Sequence, residues 1–271
     1  MANFSLARHA REAVKLGFSH MEIGYDVFQT FQVPLGRDDL DELREIREKE
    51  SLSYSCHFPF YSVDLAGPNE FVRKGGVNAM ADTIERLSPL DDIIDCYVIH
   101  HVGENTAEVL KFIGDIPAKA EAVNMFRDNA ISSLNYLIEK TKIDPKRIAV
   151  ENIEFPLVPT LEIIEAAGTR FCLDTAHLLG GMAGKLDLME VLERNFDILG
   201  EIHLQEFRPN SPMDDHAPLG ESGQIGADFF NLLIERKFSG PVVFELPYPG
   251  IKSSVEYIRK ICPEIRGLPR I

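Results

Sequence analysis

Acidic and histidine side chains stand at the ends of most of the short apolar segments in this sequence. These strand-end residues are Glu22, His57, His101, Glu151, Asp174, His177, His203 and Glu245. An ionised group buried at such a position needs a compensating charge, and no lysine or arginine stands at the same strand ends. Carboxylates and neutral imidazoles together suit Zn²⁺, Mn²⁺, Fe²⁺ or Mg²⁺. The pattern predicts a metal site, although one buried acid alone also occurs as a satisfied core ion pair.

A loop further along the chain adds a second group of candidate ligands. It reads Asp214-Asp215-His216 and leads into Pro218-Leu219-Gly220. An aspartate and a histidine two positions apart in a loop can reach the same ion. A solvated acidic turn is the alternative interpretation, and the loop by itself leaves both open.

The segments that must position these residues alternate between strand-like and helix-like patterns. Short runs rich in Ile, Val, Phe and Tyr predict seven strands: Ser19–Tyr25, Ser53–Phe58, Cys96–His101, Arg147–Asn152, Arg170–Asp174, Gly200–Leu204 and Pro241–Leu246. Stretches with apolar residues at helical spacing lie between them. One of these is Thr160–Ala167, where Thr160 is expected to be the N-cap. Such alternation is typical of an α/β fold with a parallel sheet.

The predicted fold is a (β/α)8 TIM barrel formed as a single domain over residues 1–271. An eighth strand is expected only as a short stub at Ala2–Leu6, so the first barrel strand is shortened. An open doubly wound sheet is the competitor, but no GxGxxG motif follows the early strands. In a barrel, residues at the carboxyl ends of the strands face one site, so the polar residues are expected to converge.

The composition favours a small-molecule substrate over nucleic acid. The formal net charge is −15 and the pI is about 5.0, which repels phosphate backbones. The four cysteines form no CxxC pair, and free thiols are expected. The first twenty residues are mixed and charged, and no apolar run reaches the length of a membrane span. We therefore expect a cytoplasmic protein with no membrane partner, and the oligomeric state stays open.

Several short motifs occur in a fixed order along most of the chain. They are His57-Phe58-Pro59, Val98-Ile99-His100-His101-Val102-Gly103, Val150-Glu151-Asn152, Leu173-Asp174-Thr175-Ala176-His177, Ile202-His203-Leu204, Asp214-Asp215-His216 and the Phe238-Ser239-Gly240-Pro241 run that leads to Glu245. Each is weak alone. In this order, the chain resembles the AP endonuclease family 2, xylose isomerase-like TIM-barrel superfamily.

Within that superfamily, enzymes of the endonuclease IV type hold three zinc ions with nine side chains. The resemblance implies ligands at His57, His101, Glu151, Asp174, His177, His203, Asp214, His216 and Glu245. His101 is preferred to His100 because it precedes Val-Gly, which is similar to the family's His-Pro-Gly. Since side chains alternate along a strand, His100 is expected to point to the other face.

Sugar isomerases and epimerases of the same superfamily use fewer ligands. This resemblance implies a single-metal set of Glu151, Asp174, His203 and Glu245, with His177 helping to bind the substrate. Glu151 and Glu245 would then be the catalytic acid and base. The expected cofactor is a divalent metal ion, Zn²⁺ or Mn²⁺, at one to three ions per chain.

The preferred function is a metal-dependent isomerase or epimerase of a sugar or a phosphorylated sugar. An endonuclease IV-like multinuclear zinc phosphoesterase is the alternative, and a barrel that only binds a metal or metabolite is the third. Two departures count against DNA as the substrate. Asp215 stands where the nuclease type often has a basic residue, and Gln205-Glu206 replaces its usual Asn-Asp. For Glu22, a structural role between neighbouring strands is preferred to catalysis.

Overall fold

Seven parallel strands form the sheet of the computed structural model, which describes residues 5–30, 36–113, 117–209 and 215–271. The strands are β1 (His20–Gly24), β2 (Ser53–His57), β3 (Ile94–Ile99), β4 (Ile148–Glu151), β5 (Arg170–Asp174), β6 (Leu199–His203) and β7 (Val242–Val243). They pair in chain order from β1 to β7. All seven predicted strands are confirmed, and with the helices they form a nearly closed TIM barrel.

Helices connect the strands. They are α1 (Leu6–Leu16), α2 (Asp26–Thr30), α3 (Arg37–Glu50), α4 (Glu70–Leu87), α5 (Glu104–Ile113), α6 (Pro117–Thr141), α7 (Leu157–Ala167), α8 (Thr175–Leu179), α9 (Leu188–Asn195), α10 (Ala227–Glu235) and α11 (Tyr248–Ile261). The predicted cap at Thr160 is wrong, because α7 begins three residues earlier. Thr160 is instead buried inside the helix, where its hydroxyl donates to the carbonyl of Pro156 at 3.1 Å. Among the described helices, none is long and apolar enough to cross a membrane.

The seam of the barrel lies between β7 and β1. The predicted strand at Ala2–Leu6 is wrong at its carboxyl end, because Ser5 caps α1 and Leu6 is its first residue. The rest of that segment, residues 2–4, lies outside the described residues. A cavity of about 1340 Å³ is lined by residues of both seam strands, including Met21 and Val243.

Alternation along the strands separates the interior of the barrel from its outer layer. Residues such as Tyr97, Ile99 and Val150 belong to the large core that the sheet shares with the helices. The residues between them form a small separate core inside the barrel, made of Cys96, Val98, Ala149 and Cys172. Side chains along a strand point alternately to its two faces. A polar residue two positions after an interior residue is therefore expected to point into the barrel as well.

Candidate metal centre

Most of the predicted ligands meet at the carboxyl-terminal mouth of the barrel. Four of them are the last residues of their strands, and two follow a strand directly: His57 on β2, Glu151 on β4, Asp174 on β5, His203 on β6, His177 on α8 and Glu245 after β7. This is the face where TIM barrels carry their active sites. Each of these short apolar strands therefore ends at or close to a polar side chain, as the sequence predicts.

Three carboxylates surround one nitrogen of His203. Its Nδ1 atom lies 3.3 Å from Oε2 of Glu245, 3.6 Å from Oε1 of Glu151 and 3.9 Å from Oδ2 of Asp174. The imidazole is fully buried, and this nitrogen has no hydrogen-bond partner among the described residues. A buried nitrogen without a partner costs free energy. The four side chains thus fit a divalent cation, which would satisfy the nitrogen and neutralise the carboxylates.

The concentration of negative charge shifts the pKa of Asp174. Burial, together with the neighbouring carboxylates Glu151 and Glu245, raises the pKa of Asp174 to about 6. A carboxyl group beside two other carboxylates favours a bound cation, because the cation relieves the repulsion between their negative charges.

Glu151 is the residue that joins the carboxylate cluster to a group of histidines. Its Oε2 atom lies 3.3 Å from Nε2 of His57 and 3.1 Å from Nε2 of His100, and its Oε1 atom lies 3.2 Å from Nδ1 of His177. Burial alone would raise the pKa of Glu151, but the imidazoles of His203 and His100 hold it well below its usual value. The carboxylate is therefore ionised at neutral pH.

The expected orientation of the two adjacent histidines after β3 is wrong. His100 points into the site, in phase with the interior residues Cys96 and Val98. His101 points outward under α7, where its Nε2 lies 3.3 Å from the Thr160 hydroxyl and its ring packs edge-on against Phe155. The similarity to a His-Pro-Gly motif selected His101, whereas the period of two from Cys96 selects His100. His101 is therefore not placed to bind an ion at this mouth.

A third group of residues lies beside the carboxylates on the loop after β6. Asp215 accepts a hydrogen bond from Nδ1 of His216 at 2.7 Å, and its other oxygen lies 3.6 Å from Nε2 of His177. The neighbouring imidazoles of His177 and His216 hold the pKa of Asp215 well below its usual value. His216 also approaches Glu245, at 3.8 Å. The predicted ligand Asp214 lies outside the described residues, and Asp215, which sequence reasoning treated only as a departure, joins the site.

Two amide side chains hold the carboxylates in place and were not predicted. Nε2 of Gln205 donates to Asp174 at 2.8 Å and to Glu245 at 3.1 Å, and its Oε1 accepts from the backbone of Glu245 at 3.2 Å. Asn152 donates to the Asp174 carbonyl and accepts from the Asp174 amide, both at 2.9 Å. Only their positions in the sequence link these residues to the site, because Asn152 directly follows Glu151 and Gln205 lies two residues after His203.

A polar layer lies inside the barrel beneath this mouth. The Ser55 hydroxyl donates to Oε1 of Glu201 at 2.9 Å, and Nε2 of His20 lies 2.9 Å from the same hydroxyl. Burial and the nearby carboxylate of Glu22 raise the pKa of Glu201 to about 8. Glu201 was missed, although it precedes His203 by two residues and so shares its face of β6.

Comparisons with known proteins agree with this architecture. The family model described as xylose isomerase-like TIM barrel matches residues 10–261. "Probable endonuclease 4" of Mycobacterium leprae is 26% identical over 242 residues, which are 86% of this chain and 86% of that protein.

Two solved structures are similar over nearly the whole chain. A D-tagatose 3-epimerase-like protein superposes with a TM-score of 0.68 at 21% identity, covering 96% of this chain and 94% of the other. Endonuclease IV from Thermus thermophilus has a TM-score of 0.66 at 18% identity, covering 94% of this chain and 92% of the other. This protein belongs to the xylose isomerase-like TIM barrel family, whose fold carries both kinds of enzyme.

Proposed function

We propose that this protein is a metal-dependent isomerase or epimerase acting on a sugar or a sugar phosphate. The observation that carries the proposal is the pair Glu151 and Glu245, which approach the same nitrogen of His203 from two strands. Such a pair places two carboxylates at one substrate-binding face, and either can take a proton from the substrate and return it. The D-tagatose 3-epimerase-like structure among the similar folds supports the same reaction class.

Glu151, Asp174, His203 and Glu245 would hold one divalent ion, Zn²⁺ or Mn²⁺. When bound, the ion supplies Lewis acidity toward two adjacent oxygens of a sugar. Gln205 fixes the spacing of Asp174 and Glu245 by donating to both. One imidazole and three carboxylates would thus be the ligands. The neutral amide of Gln205 holds two of the carboxylates without adding charge.

The two glutamates differ in how freely they can move a proton. The side chain of Glu245 is 28% exposed, whereas that of Glu151 is 1% exposed. Burial would raise the pKa of Glu245, but His203 lowers it to about 2, so it is ionised at neutral pH. Glu245 is assigned as the general base that removes a proton from the carbon next to a carbonyl, because its side chain is the more exposed of the two. Glu151, held by its histidine contacts, is the second carboxylate of the pair.

An acidic chain fits a small substrate. The net charge of −15 opposes long-range attraction of a nucleic acid. A sugar or sugar phosphate instead makes its contacts inside the barrel mouth, where the metal offsets the local negative charge.

A multinuclear zinc phosphoesterase is the second candidate, and one observation favours it. His57, His100 and Glu151 form a further cluster whose ligand atoms lie within 4.8 Å of one another, beside the His203 cluster. Isomerisation at one ion does not require these imidazoles as ligands, whereas two or three ions would activate water and bind phosphoryl oxygens. The similarity to "Probable endonuclease 4" supports this candidate.

Metal content and proton exchange together test the proposal. Protein purified without added metal is analysed by plasma mass spectrometry, then loaded with Zn²⁺, Mn²⁺, Mg²⁺ or Co²⁺ and incubated in D₂O with a panel of aldoses, ketoses and their phosphates. An isomerase or epimerase exchanges a carbon-bound hydrogen for deuterium, which NMR detects. Glu245→Gln should abolish the exchange, whereas the exposed Glu256→Gln should retain it. Two or three zinc ions, no exchange and hydrolysis of phosphoesters would establish the second candidate instead.

A further inference from the structure

The two ring nitrogens of His203 face different surroundings. Nδ1 faces the carboxylates of the metal centre, whereas Nε2 points down into the barrel and lies 3.5 Å from Oε2 of Glu22. Neither nitrogen has a hydrogen-bond partner among the described residues, and Oε2 of Glu22 has none either. His203 is fully buried and the Glu22 side chain is 8% exposed, so solvent does not satisfy these atoms.

A neutral imidazole carries one N–H group and one lone pair. If Nδ1 uses its lone pair on an ion, the proton must reside on Nε2. That N–H then needs an acceptor, because a buried donor without one destabilises the protein. Glu22 is the carboxylate that faces it.

Glu22 belongs to the polar layer beneath the mouth of the barrel. It lies on β1, paired in register with Ser55 of β2. Ser55 in turn holds Glu201 through a hydrogen bond of 2.9 Å. A carboxylate oxygen of Glu22, one of Glu201 and a ring nitrogen of His203 all lie within 4.8 Å of one another.

We infer that Glu22 is a positioning residue of the metal centre: its carboxylate accepts the Nε2–H of His203 and so presents the Nδ1 lone pair to the ion. The inference rests on the proposed metal-dependent function. An outer carboxylate of this kind fixes the ring orientation and raises the basicity of the ligand. Glu22 touches no substrate, and its role is exerted through His203.

Three proteins test the inference: the wild type, Glu22→Leu, which has no acceptor, and Glu22→Gln, which keeps an uncharged one. Ser55→Ala is the matched control, because it changes the same layer without contacting His203. Zinc affinity is measured by competition with a chelating dye. We expect Glu22→Leu to weaken it about 10- to 100-fold, Glu22→Gln to weaken it less, and Ser55→Ala to leave it nearly unchanged. The metal-free variants are first compared by thermal unfolding, and Glu22→Gln keeps the test decisive if the leucine variant does not fold.

A second measurement needs no variant. The ¹⁵N spectrum of the histidine rings in the zinc-loaded wild type should show His203 protonated at Nε2 and not at Nδ1. Equal zinc affinity of the wild type and Glu22→Leu, or an unprotonated Nε2, would overturn the inference while leaving the metal centre intact. Loss of one whole ion per chain in Glu22→Leu would also overturn it, because Glu22 would then be a ligand. A wild type that binds no zinc would overturn both proposals.

Discussion

Nε2 of His100 lies 3.1 Å from Oε2 of Glu151, whereas the next residue along the chain, His101, is buried on the opposite side of the strand end. Two adjacent histidines therefore have unrelated roles. His100→Asn should lower zinc affinity and activity by an order of magnitude or more. His101→Asn should leave zinc affinity close to that of the wild type and reduce the stability of the fold. Zinc competition and urea unfolding of both variants check this, and weaker zinc binding by His101→Asn alone would contradict it.

The order and spacing of the strands could be predicted because each is a short apolar run that ends in a polar residue. The orientation of side chains past a strand end was less secure. The chain from Val98 to Gly103 leaves the strand at Ile99, so the motif similarity and the period of two favour different histidines. In physical terms, Cys96 and Val98 already fixed the direction of His100.

Residues that act only through their neighbours could not be assigned from the sequence. Gln205 and Glu201 are ordinary polar residues until the fold brings Asp174 or Ser55 next to them. Asp215 was weighed only as a missing basic residue, since its contact with His177 depends on how the loop after β6 folds back. These contacts join residues that are far apart in the sequence. They form only when the barrel folds, so no local sequence pattern predicts them.

Gln205→Leu should loosen the metal centre without adding or removing a charge. The leucine cannot donate to Asp174 and Glu245, so both carboxylates lose a fixed partner. We expect zinc affinity to fall about 10- to 100-fold. Gln224→Leu is the matched control, because Gln224 is an exposed loop residue whose side chain accepts a hydrogen bond from the backbone of Phe207. Comparable zinc affinities in the two variants, measured with the same dye, would show that Gln205 does not position the ligands.

Glu206→Gln should destabilise the loop that follows the site. The fully buried carboxylate of Glu206 accepts hydrogen bonds from four consecutive backbone N–H groups, those of residues 222–225. An amide oxygen cannot accept all four, and each buried N–H left without a partner costs about 1–3 kcal/mol. Urea unfolding should show a loss of roughly 3 kcal/mol. Glu221→Gln, which removes only an exposed ion pair with Arg208, should cost less than about 1 kcal/mol.

Zinc binding should weaken as the pH falls below 9. Burial would lower the pKa of His57, but the hydrogen bond with Glu151 and nearby carboxylates raise it to about 9. The pKa of His203 is also held well above its usual value, by Cys172 and by carboxylates, against the effect of burial. His203 must lose its proton before it binds an ion, and an ion held by Glu151 repels the proton on His57 beside it. Affinity should therefore fall about tenfold per pH unit for each proton displaced. Calorimetry in buffers of different ionisation enthalpy would count the protons, and a count of zero at pH 7 would refute this.

His101 makes the fold sensitive to acid for the opposite reason. Burial, together with the charge of His100, lowers the pKa of His101 from 6.5 to about 3. Between these two values the unfolded chain binds a proton that the folded chain excludes, so stability is present above pH 6.5 and is lost as the pH falls toward 3. At pH 5 this group alone costs about 2 kcal/mol relative to pH 7. His101→Phe, which keeps a flat ring against Phe155, should remove that loss. Urea unfolding of both metal-free proteins at pH 7 and pH 5 gives the comparison, because every other titrating group is common to the pair. An equal loss of stability in the two proteins would mean that His101 takes up its proton in the folded state as readily as in the unfolded chain.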